Sequence, residues 1–226
     1  MVEDPTASLS PAQRRSLQTV LDLLAEERAS VSSVVDERAW RVHVADSLTG
    51  LDVPELREAH RIADVGAGAG FPGLVLAVAL PEAHVDLIES VGRKTAFIDR
   101  AAEAAAIPNA CALTTRAEDL ARTDSRESYD VVTARAVGRL STLAELASPL
   151  LRENGVLIAW KGRRDEDEES QMSRASGSLA MTPESILDVG HRAGSQHRHL
   201  HVLRKSASTP PNLPRKSGLA KKRPFG

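Results

Sequence analysis

The sequence predicts an α/β protein built around a mostly parallel central sheet and preceded by a small N-terminal helical subdomain. Three observations carry this reading. From about residue 60, apolar runs of strand length alternate with helical segments, the pattern of βαβ units whose strands are buried on both faces. A glycine-rich turn follows the first of these runs directly, and the residues before it read as amphipathic helices.

Each element has its own local cause. Ser10 followed by Pro11 predicts a helix N-cap with proline at the first helical position. Leu17, Val20, Leu21 and Leu24 then recur at helical spacing, which extends the helix to about Ala29. A second helical stretch over residues 36–48 places Trp40, Val44 and Leu48 on one face, with Asp46 and Ser47 one turn from His43. Strands are expected at residues 61–65, 85–89, 110–114, 129–133 and 156–160, with helices at 73–80, 94–106 and 140–151 and an abbreviated turn after Arg116. Weaker strands near 185–189 and 199–203 are expected to close the sheet in antiparallel fashion. The chain thus divides into a helical subdomain (1–58), an α/β domain (59–205) and a basic flexible tail (206–226), whose prolines argue against regular structure.

Composition narrows the function. The chain has 226 residues, of which 42% are hydrophobic, enough for a full core and too apolar for disorder throughout. Its start lacks the basic-then-apolar order of a signal peptide, so a cytoplasmic protein is expected. The single Cys111 excludes an internal disulfide, and no zinc-ligand spacing occurs, so no metal is expected. Cys111 itself reads as a small buried hydrophobe. The net charge is −2, yet no acidic residue follows Asp188 and seven positive charges lie from Arg204 onward. An acidic body with a basic tail suits contact with a polyanion, or simply a solubilising tail. The run of five acids at 165–169 is expected to face solvent as a helix start or loop. Nothing implies an oligomer or a membrane.

The segment Asp64-Val-Gly-Ala-Gly-Ala-Gly-Phe-Pro-Gly73 sits where α/β sheets bind ligands, at the carboxyl end of a strand and before a helix. Its pattern is G-x-G-x-G. The dinucleotide pattern would need glycine at Phe71, and the phosphate loop would need lysine at Leu74. Glu89, ending the next strand, can accept hydrogen bonds from both ribose hydroxyls of an adenosine. Asp64 suits the amino and sulfonium end of S-adenosyl-L-methionine. The residues therefore favour a methyltransferase, with a nicotinamide enzyme or a non-catalytic nucleotide-binding fold as alternatives.

The acceptor is narrowed by what is missing. Where amino-nitrogen methyltransferases of nucleic acid carry an acid- or asparagine-led Pro-Pro tetrapeptide, this chain has Thr133-Ala134-Arg135-Ala136. Cys111 has no activating neighbour for base-carbon chemistry. Guanine N7 fits, because its lone pair is free at neutral pH and needs only alignment with the methyl group, without a general base.

In order, His43-x-x-Asp46-Ser47, the run 64–73, Glu89-Ser90-x-x-Arg93-Lys94, Arg116-Ala117-Glu118, Tyr129-Asp130 with Arg135-Ala136, and Lys161-Gly162 resemble the ribosomal RNA small subunit methyltransferase G family across residues 10–205. Pro214-Arg215-Lys216, Gly218, Lys221-Lys222 and Pro224 are similar to the basic ending of some members. The resemblance implies a class I, Rossmann-like methyltransferase fold and S-adenosyl-L-methionine as cofactor. It further implies methyl transfer to N7 of one guanine in 16S ribosomal RNA, in a loop near the decoding site, with the small ribosomal subunit or its assembly intermediate as partner. By position it implies that Gly66 and Phe71 border the cofactor, that Ala117 and Glu118 lie at its adenine side and that Arg135 belongs to the cofactor set. Gly68 and Gly70 share the loop, and Glu89 takes the ribose. His43, Asp46, Arg135 and Lys161 are expected around the guanine and its phosphates as catalytic candidates. Ala69 departs from the family, standing where many relatives have proline. A small-molecule methyltransferase on the same fold remains the alternative.

Overall fold

The computed structural model describes residues 4–27, 34, 36, 38–135, 138–192 and 197–226. The continuation of the first helix to Ala29 and the position Ala136 lie outside them.

Helix α1 (Pro11–Glu26) starts in a capping box: Ser10 accepts from Gln13 N while the Gln13 side chain accepts from Ser10 N. A π-helical turn (Trp40–Ala45) runs into α2 (Asp46–Leu48), and a 3₁₀ turn (Thr49–Asp52) leads to α3 (Pro54–Arg57). The alternating part follows as β1 (Arg61–Val65), α4 (Gly73–Ala79), β2 (His84–Glu89), α5 (Gly92–Ala104), β3 (Ala110–Thr114), α6 (Ala117–Leu120), β4 (Tyr129–Arg135), α7 (Leu140–Ala147) and β5 (Leu151–Lys161). The chain ends with α8 (Glu166–Leu179), β6 (Met181–Asp188), β7 (His199–Lys205) and α9 (Leu219–Lys222).

The strands form one sheet in the order β3-β2-β1-β4-β5-β7-β6. Strands β1 to β5 pair in parallel, and β7 alone runs against its neighbours β5 and β6. Both late strands were expected to be antiparallel. Helix α8 carries the chain from β5 to β6 as a crossover, so β6 keeps the direction of β5, and β7 returns between them. The strand order reverses between β1 and β4, where this architecture opens its ligand crevice.

The N-terminal helices do not form a separate body. Leu17, Val20 and Leu24 share one buried cluster with Leu74, Phe97 and Ile98 on α4 and α5. Trp160 of β5 fastens the second helical stretch, its indole N–H lying 2.9 Å from Asp46 O and 3.2 Å from Thr49 Oγ1. Gly50 leaves room for that ring, since a Cβ there would stand 2.6 Å from it.

Three expectations about exposure are corrected. The tail carries a helical turn, α9, and packs on the body through buried Leu213 and Ala220. In the acidic run, Asp165 caps α8 by accepting from Glu168 N, and the next two acids are exposed, favourably placed for the helix dipole. Glu168, one turn in, faces the interior and accepts from Lys161 Nζ at 2.7 Å and Leu140 N at 2.6 Å. Cys111 is exposed on edge strand β3, and desolvation with the charges of Asp86 and Asp99 pushes its thiol up, which weakens it as a nucleophile. Among the described residues no helix is long and apolar enough to cross a membrane.

Asp64 also has a different place from the one expected. It is wholly buried beside the β1–β4 seam, accepting from Gly73 N at 2.9 Å and from Thr133 Oγ1 at 3.1 Å. It anchors the loop to α4 and to β4, and both oxygens are committed to protein donors. Burial raises its carboxyl to about 6, against the opposing effect of those hydrogen bonds. The folded chain therefore keeps a proton that the unfolded chain releases above about 4. The contribution of Asp64 to stability is largest below that pH and falls as pH rises to about 6. Urea unfolding of wild type and Asp64→Asn between pH 4 and 7 checks this. The stability of wild type relative to the variant should decline across pH 4 to 6 and then level off; a rise over that range would contradict the assignment.

Candidate functional site

The loop after β1 turns sharply because Gly66, Gly68 and Gly70 adopt φ of 73°, 61° and 89°, a region costly for residues with a Cβ. Six of its N–H groups are consumed within the protein. Gly66 and Ala67 donate to Ile88 O, Gly70 and Phe71 to Ala67 O, Gly73 to Asp64, and Gly68 to Glu89 Oε2 at 3.2 Å. A diphosphate needs such groups free and aimed outward, and it would also meet the Glu89 carboxylate. Glu89 is held from the other side by Val91 N at 3.0 Å, with Lys94 Nζ at 3.6 Å. A fixed, acceptor-only carboxylate at the end of β2 suits a pair of ribose hydroxyls. Beyond Gly68 the space is open, the nearest atom to a Cβ there being Gly66 O at 3.9 Å. These residues fit an adenosine carrying a sulfonium and do not fit a dinucleotide.

Next to the loop lies a cavity of about 110 Å³ lined by Gly66, Ile88, Glu89, Ser90, Ala117 and Glu118 among others. It joins the loop to α6, so the expected adenine-side pair Ala117 and Glu118 faces the same space as Gly66 and Glu89. Glu118 is buried and its Oε1 accepts from Gly218 N, in the tail, at 2.7 Å. A larger cavity of about 400 Å³ lies between α8 and the β6–β7 edge, and none of the loop residues lines it.

On the other side of the loop, Phe71 stacks on His43 with ring centroids 4.4 Å apart and planes 14° from parallel. Arg135, the last residue of β4, has its guanidinium carbon 5.8 Å from the Phe71 ring centre. It donates to Asp46 Oδ2 at 3.0 Å, to Val42 O at 2.9 Å and to His43 Nδ1 at 3.3 Å. His43 Nε2 lies 2.9 Å from Val34 O, so the ring carries its proton there and offers Nδ1 as acceptor. Burial holds His43 below the usual histidine range, the Val34 contact opposing and the Arg135 charge adding, so the ring is neutral at pH 7. Both ring nitrogens are engaged, which leaves His43 unsuited to acid–base work.

Asp46 takes a second arginine, Arg198, whose Nε lies 2.7 Å from Oδ1 and whose Nη2 donates to Oδ2 at 3.0 Å. One buried carboxylate thus holds two guanidinium groups, a cluster with one net positive charge. Burial foremost lowers the affinity of Arg135 for its proton, and Asp46 opposes that. Lys161, at the end of β5, is tied to Glu168 and to Gly138 O at 3.0 Å.

Of the expected cofactor residues, Gly66, Glu89, Ala117 and Glu118 line one crevice and Gly68 is bonded to Glu89 beside it, whereas Gly70 faces Leu74 and Ile98 in the core and Phe71 lies on the other side of the loop. Arg135, His43 and Asp46 sit as a connected set against Phe71, and Lys161 is engaged by α8. Sequence reasoning missed Arg198, Thr133 and Gly218. Only Gly218 carried a signal, as an isolated glycine amid basic residues.

Comparison with known proteins agrees with this geometry. The model of the family described as rRNA small subunit methyltransferase G matches residues 14–200. The ribosomal RNA small subunit methyltransferase G of Bacillus subtilis (strain 168) is 36% identical over 222 residues, covering 96% of this chain and 93% of the relative. That of Gloeobacter violaceus is 37% identical over 191 residues, 84% of this chain and 76% of the relative. Among solved structures, a SAM-dependent methyltransferase from Aquifex aeolicus superposes with a TM-score of 0.54 at 14% identity, covering 74% of this chain and 93% of that one. The Methanococcus jannaschii fibrillarin pre-rRNA processing protein gives 0.54 at 15% identity, over 67% and 69%. Fold, loop chemistry and relatives converge: the chain is an S-adenosyl-L-methionine-dependent methyltransferase and belongs to the ribosomal RNA small subunit methyltransferase G family.

Proposed function

We propose that this enzyme works in the cytoplasm and methylates N7 of one guanine in 16S ribosomal RNA, within the small subunit or its assembly intermediate. The observation that carries the reading is the pairing of a crevice shaped for adenosine with a mouth whose polar side chains are already committed to one another. S-adenosyl-L-methionine supplies an electrophilic methyl carbon on a positively charged sulfur. Toward it the guanine N7 would present a lone pair that carries no proton to be removed. A site for this chemistry needs alignment rather than a base, which agrees with the neutral, doubly engaged His43.

In this proposal Glu89 takes the ribose hydroxyls, Gly66, Gly68, Gly70 and Phe71 line the bound chain of the cofactor, and Ala117 and Glu118 lie at the adenine. Arg135 presents the positive charge of its cluster to an anionic group. His43 and Asp46, expected at the guanine, act instead as positioning residues: the His43 ring nitrogens face Val34 O and Arg135, and Asp46 Oδ2 accepts from both arginines while Oδ1 is ion-paired with Arg198. Lys161 meets an RNA phosphate by exchanging Glu168 for it.

The RNA is held in part by the tail. Lys216, Lys221, Lys222 and Arg223 are exposed, and among the described residues no ion pair joins them to a carboxylate, whereas Arg215 is paired with buried Glu145. A small acceptor has no use for these cations, so they also separate the two methyltransferase readings. Deleting the whole tail is a poor test, since it would remove Leu213 from the core and Arg215 from Glu145.

Mapping N7-methylguanine in 16S ribosomal RNA from cells with and without the gene for this chain tests the function. One position should lose its methyl group, and an unchanged map would overturn the proposal. Arg135→Ala should slow methylation at least tenfold, with Arg135→Lys in between because it keeps charge but not the fork; wild-type rates would remove Arg135 from the site. Replacing the four exposed tail cations by glutamine should weaken RNA binding and reduce the slope of log affinity against log salt by about 3. An unaltered slope would favour a small acceptor.

A further inference from the structure

Helix α6 is a single turn, too short to hold itself, yet it closes the adenine side of the crevice. Its support comes from the far end of the chain. Gly218 N donates to Glu118 Oε1 at 2.7 Å, and Ser217 Oγ donates to Asp119 Oδ1 at 2.7 Å. Arg122, just past the turn, donates to Pro214 O at 3.2 Å and Arg215 O at 2.8 Å, and back to Glu118 O at 2.5 Å. The tail is in turn fixed to the body by Arg215, which forks onto Glu145 of α7, and by Thr142 Oγ1 donating to Ala220 O at 3.3 Å. Gly218 sits at φ 80°, where glycine is favoured, and a Cβ there would meet nothing within 4 Å. Packing space does not require this glycine. The conformation that aims its N–H at Glu118 does.

We propose that residues 214–218 are a positioning segment of the cofactor site: the Gly218 N–H fixes the Glu118 carboxylate, so that affinity for S-adenosyl-L-methionine depends on the C-terminal tail. The inference rests on Glu118 lying at the adenine. It gives the tail a role apart from its exposed cations, and by linkage an RNA that orders this segment tightens cofactor binding by the same factor that the cofactor tightens RNA binding.

The test uses S-adenosylhomocysteine in calorimetry, with amide exchange of residues 117–120 in the ligand-free protein as a second readout. Two changes remove the contact. Gly218→Pro in the full chain deletes the N–H, and a chain ending at Leu213 deletes the segment while keeping the buried Leu213, with Glu145→Gln added so that no buried charge loses its partner. Each should weaken binding at least tenfold, speed exchange at 117–120, and raise the KM for S-adenosyl-L-methionine; in Gly218→Pro, which keeps the tail cations, kcat should be preserved. Gly218→Ala, which keeps the donor but is disfavoured at φ 80°, should weaken binding less than Gly218→Pro does. Gly218→Pro binding within twofold of wild type overturns the proposal, whether or not the truncated chain folds. Glu118→Ala separates the two levels: if it binds as wild type, the adenine assignment itself fails, whereas weak binding by Glu118→Ala with normal binding by Gly218→Pro sinks only the role of the tail.

Discussion

The site depends on where the N–H groups of residues 66–73 go. In a phosphate-binding turn they stay free and converge on an anion. Here they close back on Ile88 O, Ala67 O, Asp64 and Glu89. That choice spends six of the turn's N–H groups within the protein and sets the Glu89 carboxylate beside Gly68, where it would repel a diphosphate. The same bonds tie β1 to β2 through the loop, while Asp64 ties the loop to β4 through Thr133. The crevice is thus shaped by the residues that build the sheet's reversal point, and its ligand chemistry follows from the folding of that turn.

A second hub links the N-terminal helices to this crevice. Trp160 holds the main chain at Asp46, and the Asp46 side chain holds Arg135 and Arg198. Arg135 in turn orders His43, which stacks on Phe71 of the loop. Because the carboxylate is buried, losing either arginine leaves it less compensated, and breaking such a pair is more costly than the pair is worth. The described residues of the N-terminal helices consequently share the core of the sheet and reach the glycine loop, although they precede every strand.

Much of this was legible in the sequence, for physical reasons that also explain what was not. Strands β1, β2 and β4 sit inside a two-sided sheet, so they appear as apolar runs whose limits are seen to within two residues, and edge strand β3, though only partly buried, keeps a short apolar run of its own. Strand β6 is at the edge and mostly exposed, with Pro183 and Glu184 in it, so only its last half stood out. Glu168 was hidden within a block of acids because charge was counted as a run, when helical periodicity turns one residue in that turn inward. The buried Leu213 and Ala220 lie in a proline- and lysine-rich background with no periodicity to mark them. In the site, the glycine pattern and Glu89 were readable because backbone conformation and strand-end position follow from sequence order. The Thr133 partner of Asp64, the arginines on Asp46 and the Gly218 partner of Glu118 were not, since each is contributed by a segment at least 69 residues away.

The most direct test is competition between ligands for the crevice. S-adenosylhomocysteine titrated into the wild-type protein should bind with one-to-one stoichiometry, and saturating NAD should leave its affinity unchanged. Displacement of the thioether by NAD, or heat from NAD alone with none from S-adenosylhomocysteine, would contradict a loop that spends six of its N–H groups within the protein.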